Sequence, residues 1–136
     1  MRILITDDDQ VCSQILSGIL SPYGTCQLAE GGEQAIRMFT NALVRKNPYD
    51  LVCLDILMPD MDGHATLSCI RSIEAGFGIM GSAGVRILMV TTRDDPESIT
   101  TAFRRQCEGY IIKPIDEDQV KKQIGQLRMK SFDEIK

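Results

Sequence analysis

No apolar run in this 136-residue sequence approaches the ~20 residues that a bilayer-spanning helix requires; the longest, such as Ile87-Leu88-Met89-Val90 and Leu51-Val52-Cys53-Leu54, stop after a few residues. Nor does the start read as a signal peptide, because Asp7-Asp8-Asp9 interrupts the stretch from Met1 where an apolar region should continue. The expected location is the cytoplasm, with no membrane partner. Cys12, Cys26, Cys53, Cys69 and Cys107 are odd in number, scattered and never spaced C-x-x-C, so neither a zinc site nor a disulfide framework is indicated. Reduced, largely buried thiols are expected, with Cys53 packing as a small hydrophobe. The sole histidine, His64, has no nucleophile paired with it and reads as a polar surface residue. Repeats, low-complexity tracts and Pro- or Ser-rich linkers are absent, which leaves one domain as the expectation. With 15 Lys and Arg against 19 Asp and Glu, the net charge of −4 argues against direct nucleic-acid binding.

What the sequence does contain is alternation. Short β-type runs at 2–7, 25–29, 50–55, 86–91 and 109–112 are separated by segments whose apolar residues recur every three or four positions. Five strands alternating with five helices are expected. The first helix carries Val11, Ile15 and Ile19 on one stripe; the second carries Ala35, Ile36, Phe39 and Leu43; the third starts at Asp62-Gly63 and carries Leu67, Ile70 and Ile73. Gly76, Gly78, Gly81 and Gly84 then suggest a mobile loop over 76–85. The fourth helix starts at Asp95-Pro96 and buries Ile99 and Phe103; the fifth, after Pro114 and Asp116, buries Val120, Ile124 and Leu127. Strands that are apolar throughout, each followed by a helix, imply a parallel sheet covered on both faces, and such sheets bind ligands at the carboxyl ends of their strands.

At those ends stand Asp7-Asp8-Asp9, Asp55, Thr91-Thr92 and Lys113-Pro114. Carboxylates gathered at one edge repel by about 1 kcal/mol per pair at 4 Å in water and about 4 at an effective dielectric of 20. Lys113 supplies one compensating charge, and oxygen-only ligands suit a hard divalent cation, Mg²⁺ or in its place Mn²⁺. A carboxylate beside such a cation, a lysine and a hydroxyl can attack phosphorus to give an aspartyl phosphate. Asp9 reads simply as a helix N-cap. Arg104, Arg105, Lys121 and Lys122 read as a solvated face of the last two helices rather than a docking surface.

The ordered set Asp7-Asp8, Asp55-Ile56-Leu57-Met58-Pro59-Asp60-Met61-Asp62-Gly63, Thr91 and Gly109-Tyr110-Ile111-Ile112-Lys113-Pro114 resembles the receiver domain of two-component response regulators, single-domain chemotaxis regulators included. The resemblance covers essentially the whole chain and implies a (βα)5 flavodoxin-like doubly wound fold with a parallel five-stranded sheet of order 2-1-3-4-5. It also implies roles. Asp55 would accept the phosphoryl group from the phosphohistidine of a sensor histidine kinase or phosphotransfer protein. Asp8 would ligate Mg²⁺ directly, Asp7 through water or as an orienter, and the Leu57 backbone carbonyl would complete the protein's share of the metal shell. Lys113, through a cis bond to Pro114, would bind the phosphoryl group. Thr91 and Tyr110 would form a switch, the aromatic ring turning inward as the hydroxyl moves. The surface of the fourth helix, fifth strand and fifth helix would then signal to a downstream protein, as a monomer or a weak phosphorylation-dependent dimer, until hydrolysis resets it. Such a module promotes only its own phosphorylation and dephosphorylation and is not an enzyme in the turnover sense. A receiver over 1–129 with a tail at 130–136 and no output domain is expected, hence a stand-alone regulator.

This sequence departs from the pattern in that Thr91 stands 36 residues past Asp55, the excess falling in the glycine-rich stretch. Leu57 and Arg93, two positions beyond Asp55 and Thr91, are where such domains tune hydrolysis. Two other functions fit parts of the sequence. Asp7-Asp8-Asp9-Gln10-Val11 also fits the D-x-D-x-[TV] motif of haloacid-dehalogenase-type phosphohydrolases with Asp7 as nucleophile, which leaves the Asp55 segment unexplained. A flavin carrier on the same fold would need a phosphate loop where three carboxylates stand. A third reading is a docking module of the receiver type that is never phosphorylated.

Overall fold

A computed structural model describes residues 1–127. Five strands, β1 (Arg2–Thr6), β2 (Thr25–Ala29), β3 (Leu51–Leu54), β4 (Arg86–Thr91) and β5 (Gly109–Ile112), alternate with α1 (Gln10–Leu20), α2 (Gly32–Val44), α3 (Gly63–Gly76), α4 (Pro96–Arg104) and α5 (Glu117–Gln126). All strand pairs are parallel and the order is β2-β1-β3-β4-β5. The fold is thus the parallel sheet covered on both faces that the alternation predicts, in the flavodoxin-like strand order that the resemblance implies. Part of the expected 1–129 domain, and the whole 130–136 tail, lies outside the described residues.

Side chains alternate along a strand, so each strand serves two cores. Leu4, Val52, Leu54, Ile87 and Met89 face α2, α3 and α4, packing with Phe39, Leu67, Ile70 and Ala102. Ile3, Ile5, Leu51, Cys53, Leu88, Val90 and Ile111 face α1 and α5, packing with Leu16, Leu20, Val120 and Ile124. The exception to uniform burial is β2, an edge strand with only Ala29 fully buried.

Two helices differ from the expected phase. In α1 the buried residues are Ser13, Leu16 and Leu20, while Val11 and Ile15 are exposed at 65% and 47%. Asp9 sets where the helix starts, its carboxylate accepting the Val11 and Cys12 N–H groups, and it is Leu16 and Leu20 that join the core shared with Val120 and Ile124 of α5. In α4, Ser98 and Ala102 are buried; Ile99 is only partly covered and Phe103 is 48% exposed, because small residues let the helix approach closely. The glycine-rich stretch is more regular than its composition suggests. Gly76 belongs to α3, a 3-10 turn spans Gly81–Ala83, and Gly78 and Gly81 take the positive φ values (78° and 57°) that glycine tolerates.

Candidate functional site

The chain leaves β1 toward β2 on one side and then returns to β3 on the other, so the strand order reverses between β1 and β3. A crevice opens at their carboxyl ends. Register pairs Thr6 with Leu54, and the residues that follow, Asp7 and Asp55, therefore arrive side by side. Carboxylate oxygens of Asp7, Asp8 and Asp55 all lie within 4.8 Å of one another; Asp7 and Asp55 are buried and Asp8 is exposed.

From β5, Lys113 extends into this group. Its Nζ donates to Asp7 Oδ2 at 2.7 Å and to Asp55 Oδ2 at 3.0 Å. The second oxygen of each buried acid accepts a backbone N–H, Asp7 Oδ1 from Asp9 at 2.9 Å and Asp55 Oδ1 from Leu57 at 3.2 Å. Lys113 precedes Pro114 through a cis bond, and its own N–H donates to the Thr91 carbonyl at 2.7 Å. Burial works against the ammonium, but the hydrogen bonds and charges of Asp7 and Asp55 outweigh it and raise the Lys113 pKa. For Asp7 burial prevails over the Lys113 and Asp9 hydrogen bonds, and with the Asp55 charge it holds the carboxyl above its ordinary range. One ammonium against three carboxylates leaves negative charge at an all-oxygen site that is open on the Asp8 side. That donor set fits a hard divalent cation such as Mg²⁺.

Thr91, at the end of β4, is fully buried and its Oγ1 accepts the Arg93 N–H at 3.3 Å. Tyr110 is buried as well, and its hydroxyl donates to the Arg93 carbonyl at 2.6 Å; burial pushes the phenol up to about 12. The Arg93 side chain continues the chain of contacts, Nε to Asp95 Oδ1 at 3.0 Å, and Asp95 caps α4 through the Ser98 N–H. The arginine and that N–H hold the Asp95 carboxyl far below the usual range.

Of the site residues expected from sequence, Asp7, Asp8, Asp55 and Lys113 come together, Leu57 lies next to Asp55 with an exposed side chain, and Thr91 and Tyr110 meet through Arg93. Asp9 is the N-cap it was expected to be. His64 differs from the surface reading: it is partly buried, its Nδ1 has no hydrogen-bond partner, and burial lowers its pKa. Sequence reasoning passed over Asp60, whose carboxylate binds the start of α2; its partners lie 27 and 28 residues away, beyond any local spacing rule.

Fold and site together define a flavodoxin-like α/β protein with a cation-compatible carboxylate cluster at its topological switch point. The chain belongs to the response regulator receiver domain family, whose model matches residues 3–125. It is 31% identical over 121 residues to the chemotaxis protein CheY of Bacillus subtilis, covering 88% of this chain and 90% of that one. It is 32% identical over 119 residues to the transcriptional regulatory protein ZraR of Escherichia coli, covering 87% of this chain but only 24% of that relative's length. Among solved structures, the CheX-CheY-BeF3-Mg complex of Borrelia burgdorferi superposes with a TM-score of 0.80 at 25% identity, covering 96% of this chain and 90% of the other. A two-component response regulator from Clostridium difficile gives 0.73 at 27% identity over 95% of this chain and 99% of that one. No helix of the described residues is long and apolar enough to cross a membrane.

Proposed function

We propose that the protein accepts a phosphoryl group on Asp55 from the phosphohistidine of a sensor histidine kinase or phosphotransfer protein and signals the change to a downstream protein. The observation that carries this reading is the Lys113 ammonium shared between Asp7 and Asp55 beside the exposed Asp8. Asp7, Asp8 and Asp55, with the Leu57 carbonyl, would hold Mg²⁺, which when bound neutralises charge on the phosphoryl oxygens. An Asp55 carboxylate oxygen forms the new bond to phosphorus while the donor's N–P bond breaks, its electron pair returning to the imidazole nitrogen. Lys113 stays with the transferred group and offsets its charge. For the reset, water attacks phosphorus, the Asp55 O–P bond breaks, and inorganic phosphate leaves with the carboxylate restored. The module modifies only itself.

The route outward runs through Arg93. A Thr91 hydroxyl drawn toward the phosphoryl group releases the Arg93 N–H, and the same residue holds Tyr110 through its carbonyl and the α4 cap through its side chain. Two new charge-assisted hydrogen bonds at roughly 1.5–3 kcal/mol each approach the ~5.5 kcal/mol that takes a two-state equilibrium from 1:99 to 99:1. The α4-β5-α5 surface is the face such a shift would alter.

The test is intact mass and peptide mapping after borohydride trapping, on protein incubated with Mg²⁺ and acetyl phosphate. One phosphoryl group at Asp55, lost with chelator and in Asp55→Asn, is expected. A label on Asp7 would instead identify a phosphohydrolase, and no label despite bound Mg²⁺ and a phosphohistidine donor would identify a docking module.

A further inference from the structure

Helix α2 starts without a side chain of its own to cap it, since its N-cap is Gly31. Its first two amides are satisfied from elsewhere: Gly32 N–H donates to Asp60 Oδ1 at 3.2 Å and Glu33 N–H to Asp60 Oδ2 at 3.0 Å. The same carboxylate accepts the Met61 N–H at 2.9 Å. Asp60 belongs to the loop that carries Asp55 and Leu57, so one carboxylate joins that loop to α2.

The seating is close. A Cβ on Gly31 would stand 2.7 Å from Asp60 Oδ1, and one on Gly32 would stand 2.4 Å from Thr66 Oγ1. At the far end of the loop Gly63 N–H donates to the Ile56 carbonyl at 2.9 Å, with room for no Cβ against the Asp55 carbonyl. The segment containing Leu57 is therefore held at two points, by Gly63 against Asp55 and by Asp60 against α2.

We propose that Asp60 is a positioning residue for the cation site: by anchoring the Asp55–Asp62 loop to α2 it fixes the backbone at Leu57 relative to the three acids, without itself contacting the cation. This rests on the reading of the acidic cluster as a Mg²⁺ site. Asp60 is not one of the clustered carboxylates. A loop released from its anchor spends only part of its time in the binding geometry, and the apparent affinity falls by that fraction. Outer residues that orient metal ligands are typically worth tenfold or more in affinity.

Capping α2 and anchoring the loop can be separated. Removing the Asp60 side chain clears the space beside Gly31, whose backbone (φ −164°, ψ 174°) is extended and open to any residue, so Gly31→Asp can cap α2 from within. Mg²⁺ affinity by isothermal titration calorimetry and the metal-free thermal midpoint are measured for wild type, Asp60→Ala and Gly31→Asp/Asp60→Ala. Expected are an Mg²⁺ Kd about tenfold weaker and a lower midpoint in the single variant. The double variant should regain the midpoint and keep the weak affinity. Recovery of both in the double variant, or wild-type affinity in Asp60→Ala, would reduce Asp60 to a helix cap and overturn the inference. A wild-type protein that binds no Mg²⁺ would overturn the reading of the cluster itself.

Discussion

Among the described residues Lys113 is the one cation paired with the cluster of three carboxylates, and its two short contacts make it the side chain on which the metal-free site depends. Its removal would leave Asp7 and Asp55 buried and facing each other without a cation. We expect Lys113→Ala to lower the thermal midpoint, and to lower it further in chelator than in excess Mg²⁺, because the ion takes over the compensation. Thermal scans with and without chelator check this; an equal drop in both would mean that Lys113 acts through packing. That much of the site is legible in sequence for a physical reason. Each of these residues stands one or two positions past the end of a short apolar strand, and a parallel sheet delivers all such ends to one edge. Asp60 and the buried Nδ1 of His64 are not legible in the same way, since each depends on which elements meet after folding.

Among the elements, the strands and helix starts follow from composition, but helix rotation does not. The Val11-Ile15-Ile19 stripe and the Leu16-Leu20 pair are both helical in period, and it is packing against the sheet and α5, which no local pattern encodes, that buries Leu16 and Leu20. Two helical glycines give a sharper test of what packing adds to propensity. At Gly18 in α1 a Cβ would meet nothing within 4 Å, so Gly18→Ala should stabilise the protein by roughly 0.5–1 kcal/mol. At Gly63, the first residue of α3, a Cβ would lie 2.2 Å from the Asp55 carbonyl oxygen and 2.7 Å from Ile56 Cα, both backbone atoms that cannot turn aside. Gly63→Ala should therefore destabilise by roughly 1–3 kcal/mol despite alanine's better helix propensity. Urea unfolding of the two variants should give shifts of opposite sign. Matching signs would show that the approach of α3 to the Asp55 loop is looser than the geometry indicates.

Across the whole molecule, chemistry and reinforcement sit at opposite ends of the sheet. The acids cluster where the strands finish; where β4 and β5 begin, the Arg71 guanidinium of α3 pairs with Glu74 at 2.7 Å and Glu108 at 2.8 Å and also donates to the Val85 and Gln106 carbonyls. Both glutamates accept backbone N–H groups at the entry to β4, Glu74 from Val85 at 2.6 Å and Glu108 from Ile87 at 2.7 Å. The network thus ties α3, the glycine-rich connection and the α4–β5 link together. Removing the cation would strand Glu74, which is 3% exposed, and loss of one partner from a buried pair costs about 3–5 kcal/mol, a large share of the ~5–15 kcal/mol that keeps a domain folded. Arg71→Ala should lose that amount in urea at pH 7. Its effect on pH dependence has a definite sign. Burial already holds the Glu108 carboxyl above its ordinary range against the opposing pull of Ile87 N–H and Arg71. Without Arg71 that value rises further, and a raised carboxylate contributes stability at low pH that is lost as pH climbs through its folded value. The deficit of Arg71→Ala relative to wild type should therefore shrink as pH falls from 7 toward 5. A constant deficit would assign the loss to packing of the arginine stem. Because the network lies at the far end of the strands from Asp55, Mg²⁺ affinity measured on the folded fraction of Arg71→Ala should match that of the wild type.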